Sequence, residues 1–464
     1  MKITEGVARH ISASKFEQLS AADVEVVKNH ILYTTGTILA GSRAPGIAPL
    51  LKAMREIGAG SHSSVIAHDE RLLAPQAAMV NAAMAHAREL DINDDRIAYK
   101  TSVAVVPALW AMAEKERPVS GREFMLAAAV GIDLGVRLGL ATEPKPAHAI
   151  FHTYGPMAAA AACARMLRLE PVATHDALGA ALCHCVISGQ SLTSPSLTKR
   201  LTAGIAAQAG VSSAIIGRAG FPATTELFAG PDGFFRSLFK REGDHAVLLD
   251  ELGRRFEIHA AGAKPFPSCR YTHPAVEAAL VLKNRHAIDA AAIRSIRVRV
   301  GDRDLRTVWG ADEAERTRRA APQGIVDAQF SIPYTVATAL LRGNLTLADF
   351  TDEAMCARDT LALAALVRHE LDPSFDQWPN DVRPQEVQIT LADGSTVTER
   401  MDQPKGSPAK PFSSAEIDQA FYAMAAYAPG IKQAALEQFV AGVRSLESSD
   451  DASSLLALLK SGNR

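Results

Sequence analysis

Helical periodicity dominates the first 260 residues of the chain and constrains the fold more than any other feature. Segments such as SAADVEVVKNHILYTTGTILAG (residues 20–41) and GPMAAAAACARMLRLE (residues 155–170) place apolar side chains three and four residues apart. Their many alanines and glycines leave these helices without a charged outer face. Because such helices must bury most of their surface against one another, the sequence predicts one large helical core.

The pattern changes after residue 260. RSIRVRV (residues 294–300) alternates apolar and basic side chains, which is typical of a half-buried strand. EVQITLADGSTVTERM (residues 386–401) alternates on both sides of Asp393-Gly394, which predicts a β-hairpin. Of two helical segments, PAVEAALVLKN precedes RSIRVRV, and PYTVATALLRG lies between RSIRVRV and the hairpin. This part of the chain therefore predicts a separate α+β unit.

These two patterns together predict a mainly α protein with an inserted α+β domain. We expect a large all-helical domain formed by residues 1–264 and 403–464, and a smaller α+β lid formed by residues 265–402. The segment DQPKGSPAKP (residues 402–411) marks the return from the α+β part to the helical part.

Composition excludes several classes of function. The 464 residues carry a formal net charge of -2 and no long basic run, which argues against a general nucleic-acid binder. The N-terminal MKITEGVARHIS lacks an apolar core like that of a signal peptide. Asp133 and Arg137 interrupt the most apolar stretch, so no membrane span is predicted. We expect a cytoplasmic protein with no nucleic-acid or membrane partner.

The five cysteines form no C-x-x-C pair, which favours a reduced compartment over a disulfide framework. Cys183-His184-Cys185 resembles a fragment of a metal site, but it continues a helical pattern. On a helix, Cys183 and Cys185 would point about 200° apart. We therefore predict that this trio is an ordinary part of the core or the surface and not a metal site.

Polar and cationic residues interrupt apolar sequence at four places, where burial would be costly unless the groups are used. The first is ELDINDDRIAYK, in which acids precede a lone lysine; the second is FHTYGP, directly before an alanine-rich helix. TKR begins a glycine- and alanine-rich helix, and AKPFPSCRYTHP concentrates cations among prolines. The candidate site residues are Asp91, Asp94, Lys100, His152, Tyr154, Lys199, Lys264, Arg270 and His273.

Such a set suits a small polycarboxylate substrate. Removal of a proton next to a carboxylate builds an enediolate-like dianion, which lysine and arginine stabilise where the charge develops. A buried lysine flanked by other cations can lose its proton near neutral pH and act as the base. Each residue alone also has an ordinary explanation: a solvated lysine, a structural histidine, or a basic contact between domains or subunits. Composition and spacing alone therefore indicate a helical enzyme but do not identify its reaction.

Seven segments in the same order resemble the MmgE/PrpD family, which includes 2-methylcitrate dehydratase, cis-aconitate decarboxylase and iminodisuccinate epimerase. They include NAAMAHARELDINDD, FHTYGPMAAAAACARML, TKRLTAGIAAQAGVSSAIIGRAGF and AKPFPSCRYTHPAVEAAL. The resemblance implies a helical domain built from both chain ends, a smaller α+β lid and an active site between them. It also implies no metal or organic cofactor, a small di- or tricarboxylate substrate, and a homodimer.

The resemblance also implies roles for individual residues. Asp91 and Asp94 match an acidic segment of the family's active site, and Lys100 stands where the family has a histidine. His152 matches a second active-site histidine. Lys199, Lys264 and His273 match a lysine of a K-x-L motif, a lysine before Phe-Pro, and the histidine of a YTHP motif. Tyr154 and Arg270 are included on their local sequence. The expected catalytic residues are Lys100, His152, Asp91 and Tyr154, and the expected substrate contacts are Asp94, Lys199, Lys264, Arg270 and His273.

Lysine at position 100 leaves three hypotheses open, because an amine has neither the pKa nor the geometry of imidazole. The first is a cofactor-independent lyase of the dehydratase type, with Lys100 or His152 as the base. The second is an epimerase, in which Lys100 and either His152 or Tyr154 remove and return a proton at one carbon. The third is a non-catalytic relative that binds a carboxylate or serves as an oligomeric scaffold.

Overall fold

Two structural units make up the chain in the computed structural model, which describes residues 2–143, 151–188 and 196–462. The first unit comprises Met1–Ala261 and Phe412–Arg464, and the second comprises Gly262–Pro411. The second unit is thus inserted into the chain of the first.

The first unit is built mainly from helices. Its helices up to residue 261 are α1 (Ile3–Ala13), α2 (Ala21–Gly41), α3 (Ile47–Ile57), α4 (Ala74–His86), α5 (Val105–Lys115), α6 (Gly121–Leu140), α7 (Phe151–Met166), α8 (Pro171–Leu182), α9 (Thr198–Arg218), α10 (Phe234–Phe239) and α11 (His245–Leu249). Its short strands are β1 (Ser63–Val65), β2 (Glu70–Leu72) and β3 (Asn93–Asp94), and β4 (Ala261–Gly262) spans the boundary between the units.

The second unit mixes helices with one sheet. Its helices are α12 (His273–His286), α13 (Asp302–Val308), α14 (Glu313–Ala320), α15 (Ile325–Gln329), α16 (Ile332–Arg342), α17 (Asp352–Met355) and α18 (Arg358–Ala364). Its strands are β5 (Ile293–Val300), β6 (Val367–Leu371), β7 (Gln385–Leu391) and β8 (Thr396–Met401).

The chain then returns to the first unit with α19 (Ser414–Ala425) and α20 (Gln433–Arg444). Short 3-10 turns occupy Phe16–Gln18, Arg270–Thr272, Ala290–Ala292, Leu347–Phe350, Pro373–Gln377, Leu446–Ser448 and Ala452–Leu459. The predicted fold class, mainly α with a smaller α+β region, is confirmed. None of the described helices combines the length and the hydropathy that a bilayer crossing requires.

Small residues let the central helices of the first unit pack at short distance. A Cβ atom added at Gly131 or Gly135 of α6 would lie 2.6 Å from the Ala162 Cβ or 3.0 Å from the Ala158 Cβ of α7, so these two helices run antiparallel. On the other side of α7, Gly155 faces Ala206 of α9. One helical turn further along both helices, Ala159 of α7 faces Gly210 of α9, so α7 and α9 run parallel.

Helix α7 begins earlier than its sequence suggests. The alanine-rich pattern predicts a start at about Gly155, with His152 and Tyr154 in front of it, but the helix already includes both residues. Pro156 lies inside the helix and has no N–H with which to bond the carbonyl of His152. The N–H of Val186 donates to that carbonyl instead, at 2.9 Å, so the early start leaves no unbonded acceptor there.

Helix α8 ends at Leu182, before the Cys183-His184-Cys185 segment that the periodicity assigns to a helix. Cys183 is exposed and Cys185 is buried. The two thiols therefore lie in different environments, as expected, although the reason is the end of the helix and not its geometry.

The sheet of the second unit has the strand order β6-β5-β7-β8. The pattern predicts β5 and the β7–β8 hairpin, and all three strands are present, with Gly394 at φ +86° in the turn. The parallel neighbour of β5 is β6, which the alternation pattern does not predict. Its sequence VRHEL buries little besides Val367, so a short edge strand of this kind carries no strong alternation.

Substitution of Gly210 tests the helix packing. Its Cβ would lie 2.7 Å from the carbonyl carbon of Ala159, so Gly210→Ala forces α7 and α9 apart. We expect a loss of about 1–3 kcal/mol in the free energy of unfolding, measured by urea denaturation. Gly324→Ala is the matched control, because its Cβ would meet nothing within 4 Å. Equal stability of the two variants would contradict the close packing.

Asp304 in α13 is a buried carboxyl group inside the second unit. It is 0% exposed, and its Oδ2 accepts a hydrogen bond of 3.2 Å from the Gln385 side chain. Burial raises the pKa of Asp304 to about 7, against the opposing effect of Arg383. The folded protein therefore holds a proton here at a pH where the unfolded chain has lost it.

This elevated pKa predicts a pH-dependent stability. Because the folded-state pKa lies above the unfolded value, the stabilisation is complete below about pH 4 and is lost as the pH rises through about 7. The Asp304→Asn variant mimics the protonated carboxyl group and should lose less stability between pH 5 and pH 8 than the unaltered protein. Urea denaturation at several pH values measures the difference. Parallel curves for the two proteins would contradict the assignment.

Candidate functional site

The beginnings of three helices meet at one end of the first unit. A Cβ added at Gly155, in the second turn of α7, would lie 2.9 Å from the Ala206 Cβ of α9 and 3.5 Å from the Ala104 Cβ. Ala104 caps the N-terminus of α5. Because α7 and α9 run parallel, their N-termini point the same way. Ala206 lies eight residues after the start of α9, whereas Gly155 lies four residues after the start of α7. The four extra residues extend the N-terminus of α9 roughly 6 Å beyond that of α7. Helix N-termini favour anions.

Lys100, His152 and Lys199 therefore belong to the same region. Lys100 lies in the loop before α5, His152 is the second residue of α7, and Lys199 is the second residue of α9. His152 and Lys199 are buried, and Lys100 is half-buried. The segments that carry these three residues, spread over about 100 residues of the chain, thus lie at the same end of the first unit.

A buried charge cluster lies beside this region. His86, the last residue of α4, contacts Asp91 through Nδ1 at 2.7 Å, and its Nε2 lies 3.4 Å from Oε1 of Glu89. The ammonium group of Lys199 pairs with the same Glu89 carboxylate. Burial lowers the pKa of His86, against the opposing effect of the Asp91 carboxylate. We call these four residues, His86, Glu89, Asp91 and Lys199, the His86 cluster.

The backbone of Glu89 adopts a left-handed conformation at φ +53°. A non-glycine residue in this region carries a conformational cost and persists only where its surroundings hold it. Here the salt bridge to Lys199 and the contact with His86 hold the side chain in place. The strained residue and the buried charges coincide, which is common at functional sites.

Arg96 binds Asp94 in the acidic loop that follows the His86 cluster. Asp94 is fully buried, and Arg96 contacts both of its carboxylate oxygens, with Nε–Oδ1 at 3.0 Å and Nη2–Oδ2 at 2.7 Å. Burial raises the pKa of Asp94, against the hydrogen bonds from Arg96. The N–H of Asp94 also donates to the carbonyl of Tyr99 at 2.9 Å, which closes the loop directly before Lys100. These contacts favour a structural role for Asp94, and its predicted role as a substrate contact stays a prediction.

Lys100 is oriented by its own loop. Its Nζ donates a hydrogen bond to the carbonyl of Ala98 at 3.1 Å, and Ala98 has φ +46°. Asp91, another expected catalytic residue, contacts His86 at 2.7 Å. The predicted catalytic roles of Lys100 and Asp91 stay predictions.

His152 is held in a defined tautomer. The backbone N–H of Ser188 donates to its Nε2 at 3.1 Å, so the ring proton lies on Nδ1 in this arrangement. Val186 binds the backbone of the same residue, and the hydroxyl of Thr153 donates to the carbonyl of Val186 at 3.0 Å. His152 thus carries its N–H donor at Nδ1.

Tyr154 points elsewhere. It is two residues after His152 on the same helix, so the two side chains diverge by about 200°. Its ring packs edge-on against Tyr99, with centroids 5.4 Å apart, and lies 6.2 Å from the ring of Phe234. Tyr154 is fully buried in this aromatic cluster. Tyr154 therefore lies on a different face of α7 from His152, and its predicted catalytic role stays a prediction.

The other candidates belong to the second unit. Lys264, Arg270 and His273 are each at most 2% exposed. Arg270 Nη1 lies 3.2 Å from Nδ1 of His273 and donates to the carbonyl of Lys405 at 2.9 Å, while Nε2 of His273 lies 3.3 Å from the carbonyl of Ser268. A guanidinium on Nδ1 and a carbonyl at Nε2 fit the neutral Nε2–H tautomer of His273. The predicted substrate-binding roles of the three residues stay predictions.

The His86 cluster also contains the one group of possible metal ligands found in the part of the chain that the structure describes. Ligand atoms of His86, Glu89 and Asp91 lie within 4.8 Å of one another. The Lys199 ammonium, however, already binds Glu89 where a cation would lie. The donor set therefore fits an internal ion pair better than a metal site.

Comparison with known proteins identifies the family. Residues 5–245 match the MmgE/PrpD N-terminal domain, and residues 266–444 match the MmgE/PrpD C-terminal domain. The chain belongs to the MmgE/PrpD family. The resemblance seen in its sequence segments is thus confirmed over most of its length.

Similar members of the MmgE/PrpD family include cis-aconitate decarboxylases from animals and a fungus. The Homo sapiens enzyme is 27% identical over 475 residues, which cover 99% of this chain and 94% of that protein. The Mus musculus enzyme is 27% identical over 474 residues, covering 99% and 93%. The Aspergillus terreus enzyme is 26% identical over 426 residues, covering 87% and 85%.

His86 and Glu89 are not among the residues predicted from the sequence. Both lie in AHARELD, directly before the acids that were predicted, and His86 ends a helix that is buried along its whole length. The spacing His86-x-x-Glu89-x-Asp91 could have indicated the cluster, because residues three apart at a helix end are neighbours.

The buried pair of Glu89 and Lys199 predicts a large coupling energy. Glu89→Gln leaves the Lys199 ammonium buried without its carboxylate, which costs about 3–5 kcal/mol of unfolding free energy. Adding Lys199→Met should restore part of that loss, as measured by urea denaturation of both single variants and the double variant. The same cycle on the exposed Arg9–Glu5 pair is the control and should give a much smaller coupling. Additive effects at Glu89 and Lys199 would refute the pairing.

Proposed function

We propose that this MmgE/PrpD family member is a cofactor-independent lyase acting next to a carboxylate of a small di- or tricarboxylic acid. The observation that carries the proposal is that α7 and α9, which carry His152 and Lys199 in their first turns, begin at the same end of the first unit as α5, which follows the Lys100 loop. Lys199 there pairs with Glu89 of the His86 cluster. Cations and helix N-termini favour an anionic ligand, and a positioned histidine supplies a transferable proton. The decarboxylase relatives, which share most of the chain length, support a lyase over other enzyme classes.

The geometry favours different tasks for the two groups that transfer protons. His152 presents Nδ1–H as a hydrogen-bond donor while the amide of Ser188 donates to Nε2. It would act as a general acid as the imidazolium, once Ser188 withdraws and the ring gains a second proton at Nε2. In a dehydration, this acid would protonate the departing hydroxide. In a decarboxylation, it would protonate the carbon that keeps the electron pair of the broken C–C bond as carbon dioxide leaves. Lys100, once neutral, would take the proton next to the carboxylate in a dehydration; a decarboxylation needs no such base.

Lys199 and the His86 cluster would support this chemistry in a second way. The carboxylates of Glu89 and Asp91 fix the Lys199 ammonium and the His86 ring in a dry environment. Charges fixed in advance at low dielectric stabilise developing negative charge without further reorganisation. An ammonium group has three N–H donors, so Lys199 can contact a substrate carboxylate while it stays paired with Glu89.

Proton NMR in D₂O tests the proposed reaction directly. The purified protein is incubated with citrate, 2-methylcitrate, malate, cis-aconitate, aspartate and iminodisuccinate in turn. New vinylic signals from a hydroxy acid would establish a dehydratase, and release of carbon dioxide from cis-aconitate would establish a decarboxylase. Deuterium at the α-carbon of a new diastereomer, without elimination, would establish the epimerase instead. No reaction with any of the acids would overturn the lyase proposal and favour a non-catalytic relative.

Variants test the proposed residues on whichever acid reacts. His152→Asn keeps a hydrogen-bond donor near the position of Nδ1 but cannot transfer a proton, so turnover should fall by about 10²–10⁴-fold. In the dehydratase case, Lys100→Ala should have a comparable effect, while the exposed Lys52→Ala serves as the matched lysine control. Circular dichroism checks that the fold is retained. Full turnover in His152→Asn would remove this residue from the mechanism.

A further inference from the structure

A separate cavity of about 230 Å³ lies in the first unit between the beginnings of α3 and α9 and one face of α4. Its walls are mostly apolar and include Pro45, Leu50, Ala83, Leu197 and Leu201, with Arg200 as the charged member. Arg200 follows Lys199 directly, so on α9 the two side chains point about 100° apart. The cavity therefore opens on a different face of α9 from the His86 cluster.

Arg200 is the polar group that this cavity leaves incompletely bonded. The residue is only 7% exposed, and its Nη1 donates to the carbonyl of Pro45 at 2.6 Å. Its Nη2 is buried and has no hydrogen-bond partner among the residues that the structure describes. Burial, together with the nearby Arg88, lowers the pKa of Arg200 to about 10 against the opposing effect of Glu89, so the guanidinium is still charged at neutral pH. A buried charged donor without a partner is costly.

The N-terminus of α9 makes the cavity more favourable for an anion. The helix is 21 residues long, begins at Thr198 beside the cavity, and has no acidic residue in its first turn. The positive end of the helix dipole and the guanidinium-bearing side chain of Arg200 thus both lie at this cavity. The rest of the wall is suited to apolar groups.

We infer that this cavity binds a small monocarboxylate with a short aliphatic chain, its carboxylate on Arg200 and its chain against Leu50, Ala83 and Leu201. One cation at one end matches one carboxylate. A dicarboxylate would place its second charge against apolar side chains, where desolvation is unfavourable. The ligand is therefore of a different class from the polycarboxylate proposed for the site near Lys100 and His152.

Isothermal titration calorimetry with butyrate, compared with succinate, tests the inference on the full chain. Butyrate should bind, and succinate at this site should bind at least tenfold more weakly. Arg200→Gln should weaken butyrate binding at least tenfold, whereas Arg55→Gln, on the exposed face of α3, should leave it unchanged. Leu50→Phe fills the cavity without altering the cation and should weaken butyrate more than formate. This variant keeps the test valid if Arg200→Gln is destabilised.

Competition distinguishes the cavity from the site near His152. Butyrate should bind equally to His152→Asn and should not be displaced by cis-aconitate. Displacement by cis-aconitate, or loss of binding in His152→Asn, would assign butyrate to that other site and overturn the inference. Equal affinity for butyrate and formate, unaffected by Leu50→Phe, would also overturn it, because the apolar wall would then contribute nothing.

Discussion

Close contact between small residues of neighbouring helices is the constraint on which the first unit depends. Glycines of α6 and α9 face alanines of α7, and Gly155 of α7 faces α9 and the N-cap of α5. A larger side chain at any of these positions would separate the helices, because a packed interior absorbs extra volume poorly. The contacts fix how far the N-terminus of each helix extends along its neighbours. His152 and Lys199 lie in the first turns of α7 and α9, so their positions follow from these contacts.

Burial of charge is the second organising feature, and it occurs in networks. Glu89 joins Lys199 to His86, and Asp91 completes the His86 cluster; Arg96 pairs with Asp94 in the same way. Isolated charges at these depths would be strongly destabilising, whereas paired ones offset much of the cost of leaving water. The first unit can therefore hold charged groups inside a core of alanine and leucine, and a dry site of this kind makes each charge act strongly on a ligand.

Much of this architecture could be predicted from the sequence, and the failures have physical causes. Periodicity predicts the helical core and the strands β5, β7 and β8, since each buries a regular stripe of side chains. Strand β6 is missed because an edge strand with one buried residue has no such stripe. The predicted start of α7 is wrong because a proline normally lies at the beginning of a helix or ends it, whereas Pro156 lies inside α7. The N–H of Val186, distant in sequence, bonds the His152 carbonyl that Pro156 cannot bond.

The site itself could be predicted only in part. Residue type and family resemblance single out Lys100, His152, Asp91 and Lys199, which the structure brings to one end of the first unit. They do not indicate that Tyr154 faces away from His152 or that His86 and Glu89 are the partners of Asp91 and Lys199. Those facts depend on helix phase and on contacts between residues up to 110 apart in sequence, such as Glu89 and Lys199.

Residues 186–188 hold His152 at two points, since Val186 bonds its backbone and Ser188 bonds its ring. The amide of Ser188 thereby selects which ring nitrogen is protonated. Withdrawal of this amide by as little as one hydrogen-bond length would free Nε2 to accept a proton, so that the ring acts first as a base and then, as the imidazolium, as an acid. The acid–base character of His152 is consequently a conformational property of a segment that lies more than 30 residues away along the chain.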